Sequence, residues 1–181
     1  VPTYNGAKLY VKGTELTKLT IPEDVTTIKY ATFYQCSSIK SVVIGNHVTS
    51  IENYTFRYCP AITSVKIGNG VTTIGNYAFA NCTALESVTI GSGATKIGSG
   101  AFYNSSKLAV VRCKPTTPPT LSSTTTFDSN ATDRVIYVPQ AAVEAYQSAT
   151  NWSEYASAIV ADDNQVTPGD DINENQYPDE L

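Results

Sequence analysis

Four segments of this chain superimpose on one another at a constant offset of 23 residues, with no insertion to break the register. Ile21, Ile44, Ile67 and Ile90 form one column, and Cys113 takes its fifth place. Val25, Val48, Val71 and Ala94 form a second; Ile28, Ile51, Ile74 and Ile97 a third; Phe33, Phe56, Phe79 and Phe102 a fourth; Ile39, Ile62, Leu85 and Leu108 a fifth. A repeat this short cannot bury its own apolar face, so each unit must bury it against the units before and after. The chain is therefore expected to be a solenoid.

Length allows one such array with a cap at each end: 181 residues, 41% hydrophobic and only 15% charged. That balance excludes a disordered chain, and no apolar run approaches the ~20 residues of a membrane helix. The formal net charge is -4, with Asp162, Asp163, Asp170, Asp171, Glu174, Asp179 and Glu180 gathered at the end with no Lys or Arg among them. The folded part is then near neutral or slightly basic, which gives no electrostatic reason to expect nucleic acid. Because the chain begins at Val1 and contains no Met, it reads as a processed or trimmed product, from which any signal peptide would already be gone.

Each repeat contains a run of the form Leu85-x-x-Val88-x-Ile90, whose last two apolar residues lie two apart and so share one face of a strand. Stacked runs make a parallel ladder pointing Leu19 and Ile21, Val42 and Ile44, Val65 and Ile67, Val88 and Ile90, and Val111 and Cys113 inward. Gly45-Asn46, Gly68-Asn69 and Gly91-Ser92 end the strands, and the expectation is a tight turn exploiting the tolerance of Gly and Asn for positive φ. A second short extended piece follows, with Val71 and Ile74 inward around Thr72 and Thr73, and the Phe of each coil stacks on the next as an aromatic spine on the opposite wall.

Three residues after each Phe stands Cys36, Cys59 or Cys82, with Ser105 in the last repeat. A small, weakly hydrogen-bonding side chain suits a place where the chain turns back and leaves backbone groups to satisfy, so a buried thiol ladder is expected. Neighbouring coils lie only ~4.8 Å apart, within the reach of a disulfide, and whether any pair among Cys36, Cys59 and Cys82 is oxidised stays open. Zinc needs four converging ligands, whereas the single His47 sits in a turn after Asn46; neither a metal nor a cofactor is expected.

The unit Ile-Gly-x-x-Val-Thr-x-Ile-x-x-x-Ala-Phe-x-x-Cys-x-x-Leu-x-x-Val, clearest from Ile67 to Val88, resembles the leucine-rich repeat of the BspA-like group, also called the Treponema pallidum type. The likeness runs from Leu16 to Cys113. Beyond it, Pro118-Pro119-Thr120-Leu121, Phe127, Ile136-Tyr137-Val138-Pro139, Tyr146, Trp152 and Ile159 resemble the C-terminal cap of that group. Val143 and Tyr146 on a short helix, with Trp152 and Tyr155 after it, would close the last coil. The expected fold is a β-rich solenoid of 23-residue leucine-rich repeats with a parallel strand ladder, an N-terminal strand cap over 1–15, the array over 16–113, a β/α cap over 114–161 and an acidic tail or linker over 162–181. The resemblance implies a curved array on, or secreted from, a bacterial cell, with no catalytic residue to carry over.

Catalysis has little to work with. The lone imidazole lacks a triad, and Glu23, Asp24, Glu52 and Glu86 are isolated rather than paired as glycoside hydrolysis requires. Two surfaces remain. The outward face of the ladder carries Lys18 and Thr20, Ser41 and Val43, Ser64 and Lys66, Ser87 and Thr89, and Val110 and Arg112; its charge is positive only, which favours an acidic protein segment or anionic glycan. A tyrosine group lies beside the Phe spine, with Tyr34, Tyr58 and Tyr103 as its secondary candidates. In the tail, Asp171-x-Asn173-x-Asn175 has the alternation of a calcium loop without its Gly or closing Glu, so a solvated terminus is expected there. The expected function is a non-catalytic extracellular binding or adhesion module that takes a protein or glycan partner at the cell surface, inserts in no membrane and binds no nucleic acid. The alternatives are a structural spacer or self-assembling component of a bacterial surface, and a glycan-capture module.

Overall fold

Alternating burial along each short strand builds the molecule, and a computed structural model describes residues 7–163 of it. Seven parallel strands form the main ladder: Lys18–Thr20, Ser41–Ile44, Ser64–Ile67, Ser87–Ile90, Val110–Cys113, Val135–Val138 and Ile159–Ala161. Val42, Val65, Val88 and Val111 meet in register and face inward, as do Ile44, Ile67, Ile90 and Cys113. A second parallel ladder of two-residue strands, Thr27–Ile28, Ser50–Ile51, Thr73–Ile74, Lys96–Ile97 and Thr120–Leu121, makes another wall. Its inward column is Ile28, Ile51, Ile74, Ile97 and Leu121, all buried. The N-terminal cap is an antiparallel hairpin, Tyr10–Val11 with Thr14–Glu15, joined to the first coil through Ala7 and Cys36.

The Phe spine is continuous. Phe33, Phe56, Phe79 and Phe102 stack nearly parallel at centroid spacings of 4.9, 5.1 and 5.5 Å. Phe127 continues the column 5.4 Å beyond Phe102 and meets Trp152 and Tyr155 on its far side. Both ladders follow it: Val110 stands opposite Val135, and Lys96 opposite Thr120. One more coil thus runs through the segment that the sequence assigns to the cap. Its pieces are offset by one or two residues more than the regular 23, which hides it from a fixed-period comparison.

The turn glycines are required for a different reason from the one expected. Positive φ among the described glycines occurs at Gly13 and Gly100, not in the strand-ending turns. A Cβ on Gly68 would lie 2.6 Å from the Gly45 carbonyl oxygen, and one on Gly70 would strike the Asn46 carbonyl, so close approach of neighbouring coils excludes a side chain. The asparagines likewise serve the next coil. Asn46 Oδ1 accepts the Asn69 N–H at 2.7 Å, Asn69 Oδ1 the Ser92 N–H at 3.0 Å, and a second column joins Asn53, Asn76 and Ser99. Each bond satisfies a backbone amide that the turn would otherwise strand.

The left-handed positions that recur in every coil lie instead beside the spine. Ala31, Tyr54, Tyr77 and Gly100 form one such column, and Gln35, Tyr58, Asn81 and Asn104 another, with φ between 51° and 60°. A bulky residue in this region is strained, and it persists because hydrogen bonds on both sides fix the backbone. Tyr54 N–H reaches the Asn76 carbonyl and Tyr58 N–H the Ala80 carbonyl, at 3.0 and 2.9 Å.

All four thiols are unpaired and buried. Cys59 and Cys82 donate to the carbonyls of Phe33 and Phe56 in the preceding coil at 3.0 and 3.2 Å, and Ser105 makes the same bond to Phe79 at 2.9 Å. Burial pushes the Cys82 and Cys113 thiols up to about 12 and the Cys59 thiol well above its usual range, so they remain neutral donors. In the added coil the Phe102 carbonyl is taken by Asn130 Nδ2 at 2.8 Å and that of Phe127 by Arg134 at 2.6 Å.

The cap closes the open end with aromatic side chains. A short helix, Val143–Ser148, buries Tyr146; Trp152 precedes, and Tyr155 lies within, the helical turn Ser153–Ala158 that follows. Trp152 Nε1 donates to the Pro119 carbonyl at 2.7 Å and Tyr146 OH to that of Pro115 at 2.8 Å, while Tyr155 OH donates to the Thr124 carbonyl. Each ring covers apolar surface and satisfies a carbonyl of the last coil with its polar end.

Candidate functional sites on the ladder face and the tyrosine flank

Strand pairing sorts the outward residues into two columns. Lys18, Ser41, Ser64, Ser87 and Val110 make one, and Thr20, Val43, Lys66, Thr89, Arg112 and Tyr137 the other. Pairing thus unites all ten ladder residues singled out from the sequence on one face. Lys18, Thr20 and Lys66 are exposed, and the others are half-buried by their neighbours in the columns.

Charge on this face differs from the expectation. Both oxygens of Asp162 accept from Arg112 Nη1 at 2.8 Å, and the guanidinium lies 4.5 Å from the centre of the Tyr137 ring. Asp162 belongs to the ladder edge through its own N–H, which donates to the Val138 carbonyl at 2.8 Å. The face therefore carries an acid as well as bases, and Arg112 is held in a fixed pair.

The tyrosine flank is more differentiated than a column of rings. Tyr34 and Tyr58 meet edge to face at 5.8 Å, as do Tyr30 and Tyr54 at 5.6 Å, while Tyr54 and Tyr77 stack in parallel at 5.7 Å. At their centre is Arg57, whose guanidinium carbon lies 5.2, 4.8 and 5.1 Å from the ring centres of Tyr54, Tyr58 and Tyr77. Tyr30, Ala31, Tyr34, Tyr54 and Arg57 line an open cleft of about 380 Å³. Tyr103 stands apart, because Ala80 occupies the place between Arg57 and Tyr103 in the repeat. The next ring of the inner column is also missing: Gly100 stands there, and a Cβ on it would meet the Tyr77 ring at 2.5 Å. Glu52, beside the cleft, is held below the usual carboxylate range by the Tyr30 N–H and then by Lys29.

These columns, with their carbonyl-capping Cys and Phe spine, coincide with a model of the BspA type leucine rich repeat region that matches residues 6–131 in six copies. The chain belongs to that family. No curated protein matches it. Among solved structures, the BspA-type array is similar to a leucine rich cell surface protein from Faecalibacterium prausnitzii A2-165, at 24% identity and a TM-score of 0.61, covering 82% of this chain and 36% of that one. It is also similar to a leucine-rich repeat protein from Bacteroides ovatus ATCC 8483, at 18% identity and a TM-score of 0.50 over 83% and 43% of the two chains. The pneumococcal vaccine antigen PcpA shares 14% identity with a TM-score of 0.52 over 84% and 41%. These likenesses are of fold, and this BspA-type chain spans less than half the length of each of the three.

Two residues of the array's surface escape a reading of the sequence. Arg57 occurs once in its repeat column, between Tyr34 and Ala80, so periodicity does not mark it; its signal is its place amid Tyr54, Tyr58 and Tyr77. Asp162 hides at the head of an acidic run. Among the described residues no group of three or more His, Cys, Asp or Glu side chains could hold a metal ion, and no helix is long and apolar enough to cross a membrane. The calcium-like alternation at Asp171 to Asn175 lies outside the described residues.

Proposed function

We propose that this BspA-type array is a non-catalytic binding or adhesion module of a bacterial cell surface, recognising a macromolecular partner across the outward face of its main ladder. The observation that carries this reading is the register itself. Five neighbouring strands of the ladder hold Lys18, Ser41, Ser64, Ser87 and Val110 in one column, with Thr20, Val43, Lys66, Thr89 and Arg112 beside it. Such a face gives a long partner the same geometry coil after coil, and modest contacts add along it. The short hydroxyl side chains of Thr20, Ser41, Ser64, Ser87 and Thr89 leave the backbone between the longer residues open to close approach. The fold it shares with a leucine rich cell surface protein supports the location.

The test is a Lys66→Glu/Thr89→Glu double variant with unchanged melting, compared with the parent on a glycan array and in pull-downs from neighbouring-cell and host extracts. A partner retained by the parent and lost by the variant supports the ladder as the recognition face. Silence in both assays, together with concentration-dependent assembly in light scattering, would replace binding with the structural-spacer role.

A further inference from the structure

The cleft on the tyrosine flank is a second surface, independent of the ladder, and its chemistry is more selective. We propose that Arg57 and the surrounding tyrosines form a subsite for a carboxylate-bearing sugar residue of an acidic glycan. The guanidinium is embraced by three rings, and Nε is buried without a hydrogen-bond partner. Its one side-chain hydrogen bond runs to the Tyr58 hydroxyl at 3.3 Å, and no carboxylate among the described residues pairs with it. Glu52, the acid beside the cleft, is taken up by Lys29 and the Tyr30 N–H. A planar cation fixed in this way keeps its fork ready for an incoming carboxylate while losing little side-chain freedom on binding.

The walls decide what bears that carboxylate. Tyr30 is 64% exposed and Tyr34 39%, offering ring area for the apolar C–H side of a pyranose and phenol groups for its hydroxyls. An acidic peptide would instead seek main-chain partners, as extended peptides do at a sheet edge. The cleft withholds its amides: the N–H groups of Tyr30, Ala31, Tyr34, Tyr54 and Arg57 are all engaged, with Glu52, Asn53, Ala31, Asn76 and Tyr54 respectively. A volume of about 380 Å³ suits one or two sugar residues.

The test titrates the full chain, by calorimetry and tyrosine fluorescence, with an oligogalacturonate, a sialyllactose, neutral lactose and a poly-glutamate peptide. Preference for one carboxylated sugar over lactose is expected, and which of the two binds identifies the source of the carboxylate. Arg57→Gln should weaken that binding at least roughly tenfold, and Tyr30→Ser, at an exposed site that leaves the fold intact if Arg57→Gln does not, should weaken it several-fold. Lys66→Glu should leave it unchanged, which separates this subsite from the ladder. Equal binding of lactose, no binding of either acidic sugar, or affinity indifferent to both cleft substitutions would overturn the proposal. Poly-glutamate binding that is stronger than the sugars and lost with Arg57→Gln would overturn it in favour of an acidic peptide.

Discussion

The regular coils and the C-terminal end solve one problem with different means. Inside the array, a coil's polar groups are met by the same kind of partner in every neighbour: asparagine oxygen to amide, cysteine to phenylalanine carbonyl, threonine hydroxyl to threonine carbonyl. At the end no equivalent neighbour exists. Asn130, Arg134, Tyr146, Trp152 and Tyr155 each supply a bond that occurs once. Repetition thus lets one small residue serve in every coil, whereas termination needs large side chains that combine apolar area with a polar tip.

Removing the end is expected to have the largest effect. Truncation after Cys113 deletes strand Val135–Val138, Phe127 and all three cap aromatics, exposing Val111 and the Phe102 ring. The fragment should aggregate or fray in size-exclusion and thermal-melting experiments; a soluble, fully cooperative fragment 1–113 would erase the distinction between coil and cap. Next comes Phe79→Ala, which opens a gap between Phe56 and Phe102 and should cost ~3–5 kcal/mol in denaturant unfolding.

The thiol column offers a finer comparison. Cys82→Ser should be nearly neutral, since Ser105 already performs that task, whereas Cys82→Ala leaves the Phe56 carbonyl short of a partner and should cost ~1–3 kcal/mol. A thiol raised in the fold from 9.0 to about 12 binds its proton more tightly when folded. Its contribution is whole below about pH 9 and lost as pH rises toward 12, so the parent should lose stability over that window and Cys82→Ser lose less of it. Equal alkaline losses in both would show that the column does not titrate as described. Smallest is Thr72→Ala, which removes an exposed hydroxyl bonded to the Thr49 carbonyl at 3.1 Å and should cost ~1 kcal/mol or less.

Much of this fold is legible in the sequence. The apolar columns specify the faces of the strands because a strict period leaves only one way for Val88 and Ile90, or Phe79, to point inward in every coil. Tyr146, Trp152 and Tyr155 were readable as closing groups for the same reason: large aromatics just beyond a repeat have an open end to cover. The added coil was not, since Thr120, Phe127 and Val135 drift from the 23-residue register. The turn glycines stand out in the sequence but their cause does not, because contact between coils is a property of the stack and not of one turn. On the surface, the ladder columns followed from alternation, but Arg57 and Asp162 acquire their partners only when residues from several coils, or from the far end of the chain, come together.

The column bonds also bear on how such a chain can change its length. Asn46 to Asn69 and Asn69 to Ser92 are the same bond made one coil later, and so are Cys59 to Phe33 and Cys82 to Phe56. A duplicated unit inserted between two coils would find every donor and acceptor it needs already in place, and would return the flanking coils to the partners they had. An insertion of another length must be absorbed in the turns, as the one or two extra residues of the added coil are, or it displaces the columns beyond it. Gene duplication in whole units is therefore the mutation this architecture tolerates best, and it lengthens the outward face by one strand without redesigning either cap.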